Sequence, residues 1–295
     1  MYCTTQNSQK STKIWLTDSD FPPLLRQIND APKRLKYLGQ KPDPKADYFA
    51  IVGTRHMTPY GKKVAYEFSH ALAKKFVIVS GLAYGIDAVA HRAALDAGGK
   101  TVAVLGSGLN NITPPCNLGL AKEIQKNGSI ISEYEDDFGP FKGTFPQRNR
   151  IIAGMSVATL VVEAPERSGA LITARLALEY NRDVFVIPGN ITQETSKGTN
   201  KFIRDGKAFP TTCVQDIFDY LELSSPPQNA AAGSQEHALS TDEEAVYSLL
   251  KNSHMSIDDL VAETGLQTSR INTVLSLLEL KGLIEMSGSY AFITR

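Results

Sequence analysis

The chain has 295 residues, 42% of them hydrophobic, enough to bury the core of one large domain and a small one and too apolar for a disordered chain. Its 31 Lys and Arg match 31 Asp and Glu, so no overall basic excess points to nucleic acid or an anionic membrane, and any polyanion site must be a local patch. Cys3, Cys116 and Cys213 carry no CxxC spacing, which reads as reduced thiols without a metal. With no signal-peptide core and no run of about 18 apolar residues, the sequence predicts a cytoplasmic protein lacking a membrane span.

The first 46 residues contain FPPLLRQINDAPKRLKYLG, one helix-length run broken by prolines and too short for an independent domain. From Tyr48 onward YFAIVG, FVIVSG, TVAVLG, SIIS, ATLVVEA and DVFVIPG read as six strands, nearly continuous in apolar character, as in a parallel sheet covered on both faces. PYGKKVAYEFSHALAKK, IDAVAHRAALDAGG and SGALITARLALEYNR supply intervening helices. The alternation predicts a Rossmann-like α/β domain over residues 47–223. Residues 224–239, poor in bulky apolar side chains, read as a linker.

Within 240–295, Thr241 with Glu244 and Ser256 with Asp259 form capping boxes ahead of two helices. A third helix from near Thr268 places Ile271, Val274, Leu275 and Leu278 on one face, and GLIEMSGSYAFI reads as two strands around a turn. Three short helices closed by a hairpin predict a small winged-helix domain. It holds four Lys or Arg against eight Asp or Glu, a net −4, with only Arg270 on its would-be recognition helix. That charge suits protein contact better than duplex DNA.

The strand ends of the large domain concentrate glycine and small polar residues: Gly53-Thr54-Arg55, Ser80-Gly81, Gly106-Ser107-Gly108, Ser168-Gly169, Pro188-Gly189 and, soon after, Gly198-Thr199-Asn200. Backbone N–H groups at such turns and at helix N-termini bind phosphate; each βα turn alone needs glycine anyway, so the signal is their number. The first turn, GTRHMTPYG, has no GxGxxG, and no GxxxxGK[ST] occurs, so the mononucleotide and NAD readings lose their best warrant. Arg55 there either makes a surface ion pair or clamps a phosphate.

FKGTFPQRNRIIAGMS, residues 141–156, joins aromatic rings and cations ahead of an apolar run. Thr144 and Gln147 read as a capping box, with Pro146 in the first helical turn. Arg148, Ile151, Ile152 and Met155 share one face and Arg150 points roughly the other way. Cations here oppose the helix dipole, so Arg148 requires either a buried carboxylate such as Glu163 or a bound phosphate. Phe145, three residues from Lys142 and from Arg148, either packs as a staple or stacks on an unpaired base. Glu163 and Asp87 admit a weaker reading as a catalytic carboxylate pair. The five histidines show no metal spacing, and the four carboxylates of ISEYEDDF read as a solvated loop or a limit on where a polyanion lies.

IVGTR, SGLAYGIDAVAHRAAL, VLGSGL, ISEYEDD, FPQRNRIIAGMS, VVEAPERSGALITA, VFVIPGN and GTNKFIRDG, in this order, resemble the DNA-processing protein A (DprA/Smf) family over most of the chain. The resemblance implies a dimeric single-stranded DNA (ssDNA) binder that protects incoming DNA and helps load the RecA recombinase in natural transformation, without cofactor or catalysis. It places phosphate at Arg55 and the Gly53-Thr54 turn, a second cation at Lys142 and a base on Phe145. Arg148, Asn149, Arg150, Ser168, Gly169 and Asn200 would line or brace the groove. The chain departs from the family in its short N-terminal segment, read as the remnant of a helical domain, and in Ala170, where serine is common. The fold is also similar to that of nucleoside-monophosphate phosphoribohydrolases, an enzymatic alternative. Their PGGxGTxxE motif is missing, and VIPGNITQETSKGTN is a weak substitute.

Overall fold

A computed structural model of the chain describes residues 11–222, 240–250, 255–281, 283–287 and 290–293. The chain divides into two compact units, Met1–Pro226 and Pro227–Arg295.

The first unit carries strands β1 (Thr12–Trp15), β2 (Arg34–Gly39), β3 (Tyr48–Val52), β4 (Val77–Ser80), β5 (Thr101–Val104), β6 (Ser129–Ser132), β7 (Ala158–Val161), β8 (Asp183–Val186) and β9 (Phe209–Pro210). They form one sheet in the order β1-β2-β6-β5-β4-β3-β7-β8-β9. Its helices are α1 (Pro23–Arg26), α2 (Pro59–Leu72), α3 (Ile86–Asp96), α4 (Leu118–Asn127), α5 (Thr144–Met155), α6 (Gly169–Glu179), α7 (Lys197–Arg204) and α8 (Val214–Tyr220). The six predicted strands are β3 to β8, and all of them pair in parallel.

β3 shows why its sequence lacks alternation. Tyr48, Ala50 and Val52 pack with Phe21, Leu25, Ile151, Ile152 and Leu171 on one face. Phe49 and Ile51 pack on the other with Phe68 and Leu72 of α2 and Ile86 of α3. With both faces covered, each large side chain contributes roughly 1.5–3 kcal/mol of burial, and a polar residue on either face would forfeit it.

The N-terminal segment departs from the helical remnant expected. Among its described residues only α1, four residues bounded by Pro22 and Gln27, is helical. β1 and β2 pair antiparallel with each other, and β2 pairs antiparallel with β6, Tyr37 opposite Ile131. Leu35 and Leu38 of β2 are buried, and so is Lys36, a residue type that masks the strand in the sequence.

The second unit holds α9 (Thr241–Leu250), β10 (Met255–Ser256), α10 (Ile257–Thr264), α11 (Thr268–Leu280), β11 (Ile284–Ser287) and β12 (Tyr290–Ile293), with a sheet ordered β10-β12-β11. Ile271, Val274, Leu275 and Leu278 of α11 enter its core beside Val246 and Leu260, as a winged helix requires. The Ser256–Asp259 capping box forms, with Asp259 N donating to Ser256 Oγ at 3.2 Å and Ser256 N to Asp259 Oδ2 at 3.1 Å. The other box is one residue earlier than the sequence suggests: Ser240 N donates to Glu243 Oε2 at 2.7 Å, and Glu243 N to Ser240 Oγ at 3.4 Å. Glu243 also pairs with Lys281 at 2.7 Å, which holds it, rather than Glu244, against the domain. The linker 224–239 lies outside the described residues.

Candidate nucleic-acid interface

On one side of β3 the sheet continues through β4, β5 and β6, and on the other through β7, β8 and β9. Crossovers leave the two sides in opposite directions, so the loops after β3 and β7 part and open a crevice at the carboxyl ends of the strands. Thr54 is fixed at its floor: its N donates to Glu163 O at 2.7 Å and its O accepts from Ile86 N at 3.3 Å. The next residue, Arg55, is exposed, and its Cζ lies 5.7 Å from the centre of the Phe145 ring. Phe145 is half-buried on the β5 loop, so close that a Cβ on Gly106 would stand 2.9 Å from its Cδ1. Lys142 is exposed nearby in sequence, and among the described residues neither Lys142 nor Arg55 makes an ion pair. Arg55 is thus steered by a ring instead of a carboxylate, an attraction of about 0.5–1 kcal/mol at an exposed site, and keeps its donors for an anion.

Arg148 plays a different part. It is 4% exposed, and its Nη1 donates to Gly81 O at 2.8 Å and to Val104 O, tying the ends of β4 and β5 together. Its Nε donates to Asn149 Oδ1 at 3.2 Å. The expected pairing with Glu163 does not form; the carboxylate acting on Arg148 is Asp87, which accepts from Gly81 N at 3.1 Å and Ala83 N at 3.4 Å. A side chain on Gly81 would overlap the guanidinium, so glycine is required by close approach. Burial lowers the Arg148 pKa to about 10 against the attraction of Asp87, leaving it charged at neutral pH. Burial raises the Asp87 carboxyl pKa, opposed by Arg148 and the backbone donors. His91 is buried beside them and is held neutral, its pKa lowered to about 3 by burial and then by Arg148. Its Nδ1 lies 2.7 Å from Thr101 Oγ1, which itself donates to Ile78 O, so Nδ1 carries the proton.

Glu163 instead serves the start of α2. It accepts from Thr58 N at 2.9 Å, Thr58 Oγ1 at 2.6 Å and Thr195 Oγ1 at 3.2 Å. The Thr144–Gln147 capping box is also absent. Gly143 is the N-cap; the buried Thr144 hydroxyl donates to Gly106 O and to Phe141 O at 2.7 Å, while Gln147 Oε1 accepts from Tyr134 OH at 3.1 Å. Thr144 therefore fastens α5, and with it Phe145, to the β5 loop.

The other predicted residues divide between crevice and scaffold. Asn149 Nδ2 donates to Gly169 O at 3.3 Å, joining α5 to the start of α6, where Ser168 Oγ accepts from Ala170 N at 3.3 Å. Asn200 closes the loop after β8 by accepting from Gly189 N at 3.1 Å and donating to Gly189 O at 2.9 Å. Arg150 faces away from Arg148 and pairs with Glu133 at 2.5 Å and Asp30 at 3.5 Å. Arg55, Gly53-Thr54 and Phe145 are thereby brought together, whereas Arg148, Asn149, Asn200 and Arg150 brace. His91, for which the sequence offers only a surface or packing role, is a packing residue, as its helical spacing from the buried Asp87 and Ala94 in IDAVAHRAAL indicates; the stacked pair Tyr134–Phe138 was not singled out by any sequence signal.

Residues 12–222 match the model of the family described as DNA recombination-mediator protein A, and residues 228–288 that of the DprA winged helix domain. Protein Smf of Escherichia coli K12 is 38% identical over 98% of this chain and 82% of its own length. Protein Smf of Synechocystis is 45% identical over 68% of this chain, which spans about half (52%) of that relative. The X-ray structure of DprA from Streptococcus pneumoniae superposes with a TM-score of 0.69 at 42% identity, covering 72% of this chain and 74% of that one. DprA from Helicobacter pylori, described for its single-stranded DNA binding mode, gives 0.64 at 33% identity, covering 72% and 96%. The chain belongs to the DNA recombination-mediator protein A family.

Proposed function

We propose that this chain binds single-stranded DNA at the crevice beside β3 and acts as a recombination mediator. The observation that carries the reading is the meeting of Arg55 and Phe145 at 5.7 Å, with no carboxylate partner for the cation among the described residues. A guanidinium beside a ring on a glycine floor suits one phosphate and one unpaired base, and stacking on a ring is worth about 1–3 kcal/mol per base without reading sequence. Lys142 supplies a second phosphate contact, and Arg148, Asn149, Arg150, Ser168, Gly169 and Asn200 hold the walls. Family membership supports the rest: a homodimer in a bacterial cytoplasm that shields incoming ssDNA and helps RecA assemble on it during natural transformation.

The chain is read as a binder rather than a phosphoribohydrolase. Glu163, one of the two carboxylates with a catalytic reading, is buried and already accepts from Thr58, the N-cap of α2, and from Thr195, just before α7. In the winged helix the described cations are neutralised, Arg270 by Asp242 at 2.8 Å and Lys281 by Glu243 at 2.7 Å, which favours a protein contact there over duplex DNA.

Fluorescence anisotropy with oligo-dT and a duplex of equal length tests the DNA reading. Tighter ssDNA binding that Arg55→Ala and Phe145→Ala each weaken is expected; equal affinity for both substrates, or no effect of either variant, contradicts it. RecA assembly on ssDNA coated with single-strand binding protein should accelerate on adding the chain. Release of free base from AMP would restore the enzymatic reading.

A further inference from the structure

The loops after β5 and β6 are laced into one ledge. Gly108 N donates to Phe138 O at 2.8 Å, Asn110 N to Asp136 O at 2.9 Å, and Ser132 Oγ to Ser107 O at 2.6 Å. The same β5 loop carries Phe145 at Gly106, so ledge and crevice are continuous. Four aromatic residues occupy this stretch. Tyr134 and Phe138 stack at 4.7 Å between ring centres with an interplanar angle of 12°. Phe138 is nevertheless 41% exposed and Phe141 67% exposed, large apolar surfaces that folding alone would bury. Phe141 lies over Gly143, where a Cβ would stand 3.1 Å from its Cε1, directly before Lys142 and α5.

The acidic run in the same loop repels an anion less than its sequence suggests, because most of its carboxylates are paired. Glu133 pairs with Arg150 at 2.5 Å. Glu135 pairs with Arg34 and, at 2.5 Å, with Lys36, which also lies 3.3 Å from Asp136. Asp136 further accepts from Ser11 Oγ at 2.7 Å, and Asp137 from Asn110 Nδ2 at 2.7 Å. The strand β2, added antiparallel to the sheet edge, thus supplies Arg34 and Lys36, and α5 supplies Arg150, so that three cations offset most of the charge of the four carboxylates; Asp137 is held by a neutral amide alone among the described residues. Beside the crevice stand the exposed rings and Lys142, which makes no ion pair among the described residues, with Asp137 the one carboxylate of the run left without a cation among them.

We propose that Phe138 and Phe141 form a second stacking station, which receives the unpaired bases next to the one held by Phe145, with Lys142 on the phosphate between them. This rests on the ssDNA reading above and extends it: the bound strand runs from the crevice along the β5 and β6 loops toward β2. Rings suit bases of any sequence, and their continuity with the Arg55 and Phe145 site selects nucleic acid over a protein partner.

The test uses the full chain and oligo-dT of about 4 and about 12 nucleotides, lengths that span one station or both. Phe138→Ala/Phe141→Ala should bind the short oligomer like wild type and lose about tenfold or more in affinity for the long one, as expected for one or two lost stacks. Phe138→Tyr/Phe141→Tyr should restore the long-oligomer affinity, and Phe141→Leu, which keeps apolar bulk without a ring, should not. Because Phe138 packs on Tyr134, thermal melts accompany each variant, and Phe141→Ala alone, at the more exposed position, should retain the wild-type melting point and still weaken only the long oligomer. Unchanged binding at both lengths in these variants, while Phe145→Ala weakens both, overturns the second station and leaves the crevice intact. A change in oligomeric state with unchanged DNA binding overturns it in favour of a protein contact. Loss of length dependence in wild type overturns it too, and absence of any ssDNA binding removes the reading beneath it.

Discussion

The carboxyl edge of the large sheet and the winged helix use the same residue types to opposite effect. At the sheet edge Arg55 and Lys142 are exposed and make no ion pair among the described residues, although carboxylates are plentiful in the neighbouring loop. In the winged helix, where the shape alone suggests DNA reading, Arg270 and Lys281 are held by Asp242 and Glu243 of α9. Helix-turn-helix geometry identifies a DNA reader only when its cations are free to meet phosphate. In this chain the proposed anion site rests on a cation set beside an aromatic ring, Arg55 at Phe145, and not on the DNA-binding motif.

The comparison sharpens first at the arginines of the sheet domain, of which Arg148 is buried and Arg55 is not. Arg148→Met leaves Asp87 buried without its cation and the Gly81 and Val104 carbonyls without a donor, and is expected to lower unfolding stability by about 3–5 kcal/mol. Urea denaturation measures it, and a loss below about 1 kcal/mol would show that Arg148 is not the brace. Arg55→Ala and Phe145→Ala should do the reverse. Each should weaken ssDNA binding by about 1–3 kcal/mol, while Arg55→Ala changes stability by no more than about 0.5 kcal/mol.

A pH experiment probes the same buried group from another side. His91 has a folded pKa near 3, below its unfolded value of about 6.5. The unfolded chain therefore binds a proton that the folded one excludes. The stability conferred by neutral His91 is full above pH 6.5 and is lost as pH falls toward 3, with a slope approaching about 1.4 kcal/mol per pH unit below pH 6. Asp87, shifted upward, contributes the opposite sign, so the difference between wild type and His91→Leu isolates the imidazole. Equal slopes in the two proteins would place His91 elsewhere than in this dry cluster. The smallest effect belongs to the winged helix. Arg270→Ala should change stability by about 0.2–1 kcal/mol and leave ssDNA affinity unaltered in anisotropy, and any loss of affinity would reverse the contrast between the two regions.

Much of the fold was legible because burial on both faces writes itself as continuous apolar runs, as in YFAIV of β3, and because the α11 stripe from Ile271 to Leu278 follows helical spacing. β2 was hidden by Lys36, whose partners Glu135 and Asp136 stand about a hundred residues away and convert a charged position into a buried one. The partner of Arg148 was hidden as well, since Asp87 stands 61 residues before it whereas Glu163 follows it by 15. Spacing placed it correctly on the buried face of α5, but choosing between Glu163 and Asp87 depends on how the strands are ordered, which no local pattern records. Thr144 has the chemistry of a cap, yet the nearness of Gly106 O draws its hydroxyl across to the β5 loop. Ring and cation were readable as residue types, whereas their meeting at 5.7 Å required the fold.

The most direct measurement is the salt dependence of oligo-dT binding in wild type and in Arg55→Ala/Lys142→Ala. If the two cations each neutralise one phosphate, the slope of log affinity against log salt becomes shallower by about 1.4 in the double variant, and wild type prefers ssDNA to duplex throughout. A slope that stays at the wild-type value would mean that the phosphates lie elsewhere on the molecule, and would contradict the assignment of the anion site to this edge of the sheet.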